Sequence, residues 1–255
     1  MTQLKQKRNV DPFGSALSSS TTAPLTNVSL CSKALMRAVD RPAHLPGFVC
    51  FYGPSGWGKS TAAAYAANSQ GAYYIECKSS WTRKAVLLAI LKDMGISPAN
   101  TIFEMVDQVC EQLAMSLKPL IIDELDHLVT KGAVEMIRDI YEGSGAAILL
   151  IGEERLPEKL KRWERFHGRV LDWIPAQPAD FDDCRHLARL YCDVTIGEDL
   201  LKAVHVASKG SARRIAVNLE RVQDEARDVG LDTITLKDWG KREFFTGEAP
   251  VRKVI

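Results

Sequence analysis

The sequence predicts an α/β fold in which a parallel sheet is covered by helices and followed by a small all-helical domain. Three observations carry this reading. Short apolar strands alternate with helical stretches from residue 48 to 174, a glycine-rich loop joins the first strand to a helix, and beyond Pro175 and Pro178 only helical patterns remain.

Residues 1 to about 26 are polar, with the run Ser15-Ala16-Leu17-Ser18-Ser19-Ser20-Thr21-Thr22, and predict a flexible arm. A short helix near Val28 to Val39 precedes the first strand, expected at 48–52. That strand runs into Gly53-Pro54-Ser55-Gly56-Trp57-Gly58-Lys59-Ser60-Thr61, which has the spacing G-x-x-x-x-G-K-S. Such a loop cradles nucleotide phosphates with its backbone N–H groups, reaches the β and γ oxygens with its lysine and ligates Mg²⁺ with its hydroxyl. All nine residues are therefore candidate nucleotide ligands, with Lys59 also catalytic and Ser60 on the metal.

An alanine-rich helix is expected at 59–69, then a strand at 72–76 and helices at 82–94 and 101–115. In the last of these Ile102, Val106, Val109 and Leu113 recur at helical spacing and predict one core-facing stripe. The segment Lys118-Pro119-Leu120-Ile121-Ile122-Asp123-Glu124 reads as a strand at 119–123 ending in two carboxylates, the form of a Walker B strand at the carboxyl edge of a parallel sheet. Asp123 is expected to hold Mg²⁺ through water, and Glu124 to polarise the attacking water. A helix at 132–142, a strand at 146–151 and a strand from Arg169 to Ile174 complete the pattern.

A boundary near 176 divides a nucleotide-binding domain, 27–175, from a helical domain, 176–255. Helices are expected there at 180–192, 198–208, 211–228 and 236–243. In the third, Ile215, Leu219, Val222 and Ala226 form the apolar stripe, which leaves Arg213 and Arg214 off that face.

The 255 residues are 46% hydrophobic and 25% charged, with a formal net charge of +1, an ordinary soluble composition. With no apolar run of membrane-spanning length and no signal-peptide core, a cytoplasmic location without membrane contact is expected. The six cysteines include no C-x-x-C pair and suggest neither zinc nor a disulfide framework. Near-zero net charge argues against a wholly basic nucleic-acid binder, but leaves room for a local basic strip.

The glycine-rich loop, the Asp-Glu pair, a strand ending in Gly152 and a helical domain carrying Gly210-Ser211-Ala212-Arg213-Arg214 together resemble the AAA+ ATPases over roughly residues 45–245. The G-x-x-R-R motif is similar to the sensor 2 of the initiator and Orc-like branch, which implies that Arg213 meets the γ-phosphate. Leu120 to Leu128, Ile137-Arg138-Asp139-Ile140 and Ile148 to Leu156 resemble the transposition ATPases of the MuB and TnsC type. That resemblance implies an ATP- and Mg²⁺-dependent ATPase, active at subunit interfaces. Its ATP-bound subunits would assemble as an oligomer or helical filament on double-stranded DNA and present it to a transposase.

The resemblance places the neighbour's arginine between Arg162 and Arg169, with Arg165 first and Arg169 second. It makes Lys78, Arg83, Lys84 and Thr101 candidate DNA contacts, although Thr101 is also read as a plain helix N-cap. Two departures stand out. Glu153 occupies the sensor 1 position, usually a small polar residue, and only a short polar arm stands where MuB-type members carry a DNA-binding domain. A helicase loader or initiator, and a nucleotide-switch NTPase without DNA binding, are the alternative readings.

Overall fold

The computed structural model describes residues 23–248. Helix α1 (Thr26–Val39) leads into β1 (Phe48–Tyr52), α2 (Lys59–Gln70), β2 (Tyr73–Glu76), α3 (Arg83–Asp93), α4 (Ile102–Ser116) and β3 (Leu120–Asp123). Then come α5 (Asp126–Thr130), α6 (Val134–Ser144), β4 (Ile148–Gly152), α7 (Leu156–Leu160), α8 (Glu164–His167) and β5 (Val170–Pro175). The five strands form one parallel sheet in the order β2-β3-β4-β1-β5.

Because both faces are covered, the central strands are continuously apolar rather than alternating. In β1, Phe48 and Cys50 enter the core shared with α3, α4, α5 and α6. Val49 and Phe51 enter the opposite core, against α1 and α2. Cys31, Cys50, Cys77 and Cys184 are free and buried as small apolar residues, and burial pushes the Cys77 thiol up to about 12.

Beyond β5 lie α9 (Phe181–Tyr191), β6 (Thr195–Ile196), α10 (Glu198–Ser208), α11 (Ala212–Val229), β7 (Thr233–Ile234) and α12 (Leu236–Trp239). Ile215, Leu219, Val222 and Ala226 are fully buried, as the stripe on α11 predicts. The parallel pair β6–β7 is an addition to the expected helical pattern, since two residues per strand are too few to show alternation. Helix α12 stops at Trp239, where Gly240 takes φ +66°.

Two other expectations need correction. Residues 1–22 of the expected arm lie outside the described residues, whereas its end is anchored: Ala23 is buried in the helical region's core, Leu25 packs against it, and Thr26 bonds Asp183 through its N–H and hydroxyl. On α4 the core line is Met105, Val109 and Leu113, while Ile102 is 44% exposed because the first turn overhangs the core.

Candidate functional site

Strand register gathers the candidate residues at the carboxyl edge of the sheet. Gly53 N–H donates to Gly152 O, Leu125 N–H to Ile151 O and Ala176 N–H to Tyr52 O, so the ends of β1, β3, β4 and β5 are tied in one row. The loop from Gly53 turns into α2 through Gly56 and Gly58, at φ +82° and +81°. Side chains are excluded there: a Cβ at Gly53 would lie 2.9 Å from Ala176 Cβ, and one at Gly56 2.9 Å from Ser211 Oγ. Gly58 caps α2 with no side-chain acceptor, so the helix presents the first-turn N–H groups of Lys59, Ser60 and Thr61 to an anion.

The Lys59 ammonium rests on its own loop, 2.7 Å from Gly53 O and 2.9 Å from Pro54 O. Burial lowers its pKa, opposed by Asp123, Glu124, Asp126 and Glu153. Asp123 is buried at the end of β3, accepting from Glu124 N–H at 2.8 Å and from the Tyr74 hydroxyl at 3.2 Å. Glu124 takes φ +54°, a strained conformation for a side chain with a Cβ, and is only partly buried. Its pKa is raised, first by burial and then by Asp123, against the opposing charges of Lys59 and His127.

Helix α11 closes over the loop from the other side. Arg213 N–H and Ser211 Oγ both donate to Gly56 O, at 3.0 and 3.3 Å, which sets the exposed Arg213 side chain beside the glycine loop. Ser60 and Thr61 are exposed, and Pro54, Ser55 and Trp57 complete the loop's surface. Among the described residues no group of three His, Cys, Asp or Glu gathers to hold a metal unaided. The residues present fit Mg²⁺ all the same, because that ion is held by one or two protein oxygens together with phosphates and water.

The remaining candidates are spread more widely, with Lys78 just past the carboxyl end of β2, where the Cys77 N–H donates to Asp123 O. Arg165, on α8, is exposed, with no ion pair among the described residues, and shares a polar cavity of about 400 Å³ with Arg138, Asp139, Glu142 and Arg169. Arg169 pairs with Glu142, and Arg162 bonds Val129 O. Lys78 pairs with Glu76, whereas Arg83 and Lys84, at the start of α3, rest on the carbonyls of Gly132 and Asn100. Lys131, which the sequence analysis did not single out, joins them by bonding the carbonyls of Ser79 and Trp81. Thr101 heads a capping box in which its N–H and hydroxyl both bond Glu104, so the plain capping role accounts for its polar groups.

Residues 43–160 match the AAA domain family. The chain is similar in structure to the Aeropyrum pernix ORC2 protein in its ADP form, with a TM-score of 0.65 and 16% identity over 83% of this chain and 65% of that one. It is similar to the Aeropyrum pernix ORC1 protein in complex with DNA, with a TM-score of 0.61 and 17% identity over 83% and 62%. Domain III of the Thermotoga maritima replication initiation protein DnaA gives 0.54 and 18% over 86% and 91%. The fold is that of a P-loop AAA+ NTPase. The chain spans about 65% of the length of the ORC chains it matches, and no curated protein matches its sequence.

Within this AAA+ fold, sequence reasoning missed three supports of the nucleotide edge. Asn27 is buried at the start of α1 and donates from Nδ2 to both Trp57 O and Gln177 O, at 2.8 Å each. Its Oδ1 accepts from Gln177 N–H at 2.8 Å, so one side chain ties the P-loop to the chain leaving β5. Tyr74 supports Asp123, and burial together with that carboxylate raises the phenol's pKa. Asp126 is buried and accepts from Glu153 N–H at 2.7 Å and Lys159 Nζ at 2.6 Å. Only the D-E-L-D spacing after β3 hinted at Asp126; nothing local marked Asn27.

Proposed function

We propose that this chain is an ATP-hydrolysing AAA+ ATPase that assembles on duplex DNA in its ATP-bound state, with little sequence preference, and delivers that DNA to a transposase. The observation that carries the reading is the convergence, at one sheet edge, of an uncapped α2 behind a glycine loop, a buried Asp123 beside a strained Glu124, and Arg213 over the loop. Phosphoryl transfer is chiefly positioning and charge stabilisation, and these groups are suited to both. Lys59 would leave its carbonyls for the β and γ oxygens, Glu124 would orient the attacking water, and Arg213 would meet the γ-phosphate. Mg²⁺ held by Ser60 and Asp123 would offset charge on the phosphate oxygens. Arg165, exposed and unpaired among the described residues, is suited to reach a neighbouring subunit's nucleotide, with Arg169 second.

For DNA, the supporting observation is that Arg83, Lys84 and Lys131 rest on carbonyls rather than carboxylates and so keep their charge available to phosphates. An initiator or helicase-loader role is the second reading, favoured by the likeness to ORC and DnaA structures. Fluorescence anisotropy on two unrelated duplexes, with and without a non-hydrolysable ATP analogue, separates them. The expected result is analogue-dependent binding of similar strength to both, falling steeply with salt as counterions are released. Tight, nucleotide-independent binding to one sequence would overturn it in favour of an initiator. Absence of binding in every nucleotide state would leave a nucleotide switch without DNA.

A further inference from the structure

Glu153 follows Gly152, the last residue of β4, whose carbonyl accepts from the Gly53 N–H of the glycine loop. Its surroundings show how a carboxylate is accommodated. Lys159, on α7, places its ammonium 2.6 Å from Asp126 Oδ1 and 3.1 Å from Glu153 Oε2, while Asp126 Oδ2 accepts the Glu153 N–H. Gly152 must lack a side chain, since a Cβ would overlap the Asp126 carboxylate. Asp126 follows the Walker B strand, Glu153 follows β4, and α7 leads within a few residues to α8 and Arg165.

We propose that Lys159 is a positioning residue for hydrolysis, holding the Glu153 carboxylate beside the strand end that the glycine loop bonds and compensating the buried Asp126. This rests on the ATPase reading above. Without Lys159, Glu153 is free to swing, and the buried Asp126 charge stands uncompensated near the place where charge spreads over the transferring phosphoryl group. The triphosphate is still gripped by the P-loop, so the loss falls on turnover rather than on ground-state binding. The same lysine links the end of β4 to the helix pair that carries Arg165.

The test compares Lys159→Met and Lys159→Arg in steady-state ATP hydrolysis by the full chain. Lys159→Met is expected to lower kcat by about tenfold or more with KM for ATP within about threefold, while Lys159→Arg, which can bridge both carboxylates, stays within about threefold of wild type. Because an unpaired buried Asp126 destabilises the fold, the double variant Lys159→Met with Asp126→Asn is measured as well. It is expected to regain thermal stability and only part of kcat, because Glu153 is still not held. Full recovery of kcat in the double variant, a loss confined to KM, or wild-type kcat in a folded Lys159→Met would each overturn the positioning role. A folded wild type that hydrolyses no ATP, at any protein concentration and with or without DNA, would instead overturn the ATPase reading and this proposal with it.

Discussion

Replacing Asn27 with alanine is expected to loosen the P-loop without touching any group that would contact nucleotide through its side chain. The amide makes three hydrogen bonds of 2.8 Å, to Trp57 O, Gln177 O and Gln177 N–H, from a side chain that is buried. At about 0.5–1.5 kcal/mol net for each bond, the loss is about 3 kcal/mol, since the three backbone partners are left with no replacement. Alanine's better helix propensity returns less than about 0.7 kcal/mol at this first turn. For a chain of this size that is a fall in Tm of about 6–12 °C. Equilibrium urea unfolding of the nucleotide-free protein reads the loss directly, and stopped-flow displacement of a fluorescent ADP should show faster release, because Trp57 O no longer anchors the loop. Asn27→Asp should be worse, since it keeps one acceptor, loses both donors and sets a charge against two carbonyls. A destabilisation below about 0.5 kcal/mol with an unchanged m-value would refute the claim that this side chain clamps the loop.

Three further outcomes are expected. Gly152→Ala forces a Cβ into the Asp126 carboxylate and to 2.8 Å from Leu156 Cδ2, and should cost about 1–3 kcal/mol in urea unfolding; a neutral substitution would contradict the packing. Glu124 has its pKa raised above the ordinary 4.5, so the folded state binds protons more tightly than the unfolded chain, and this carboxyl's contribution is lost as pH rises through the raised value. Glu124→Gln should therefore raise Tm at neutral pH without nucleotide, with the gap closing as pH falls below the ordinary carboxylate range, and an equal Tm at both ends would remove this reading. Lys59→Ala and Arg165→Ala should each lack turnover, yet an equal mixture should regain about a quarter of wild-type activity, the share of random head-to-tail interfaces that unite both intact halves. No recovery in the mixture would rule out Arg165 acting between subunits.

The sequence carries the sheet and its phosphate loop because both are written locally. Gly56 and Gly58 are required by positive φ, β3 by three consecutive apolar residues running into Asp123, and α11 by a stripe that is fully buried. What it hides depends on partners far along the chain. Asn27 reaches 30 residues to Trp57 and 150 to Gln177, and Thr26 reaches 157 to Asp183, so the end of the expected arm is packed for reasons no nearby pattern reveals. Ile102 had the right spacing for a buried stripe, but its turn projects past the edge of the core, and exposure there is decided by where α4 begins relative to its neighbours. Short helices α5, α7 and α8, of four or five residues, are too brief to leave a period. The Asp126–Lys159–Glu153 cluster joins three elements and appears only when β3 and β4 are laid side by side.

The most direct test of the account is phosphate release from wild type and Glu124→Gln, measured beside fluorescent-nucleotide binding over a range of protein concentrations. The account predicts that both bind ATP with similar affinity, that wild type releases phosphate with specific activity rising with protein concentration, and that Glu124→Gln is slower by about a hundredfold or more. Wild-type turnover in Glu124→Gln would contradict the assignment of the water-orienting group, and with it the central claim that this sheet edge is a hydrolytic site.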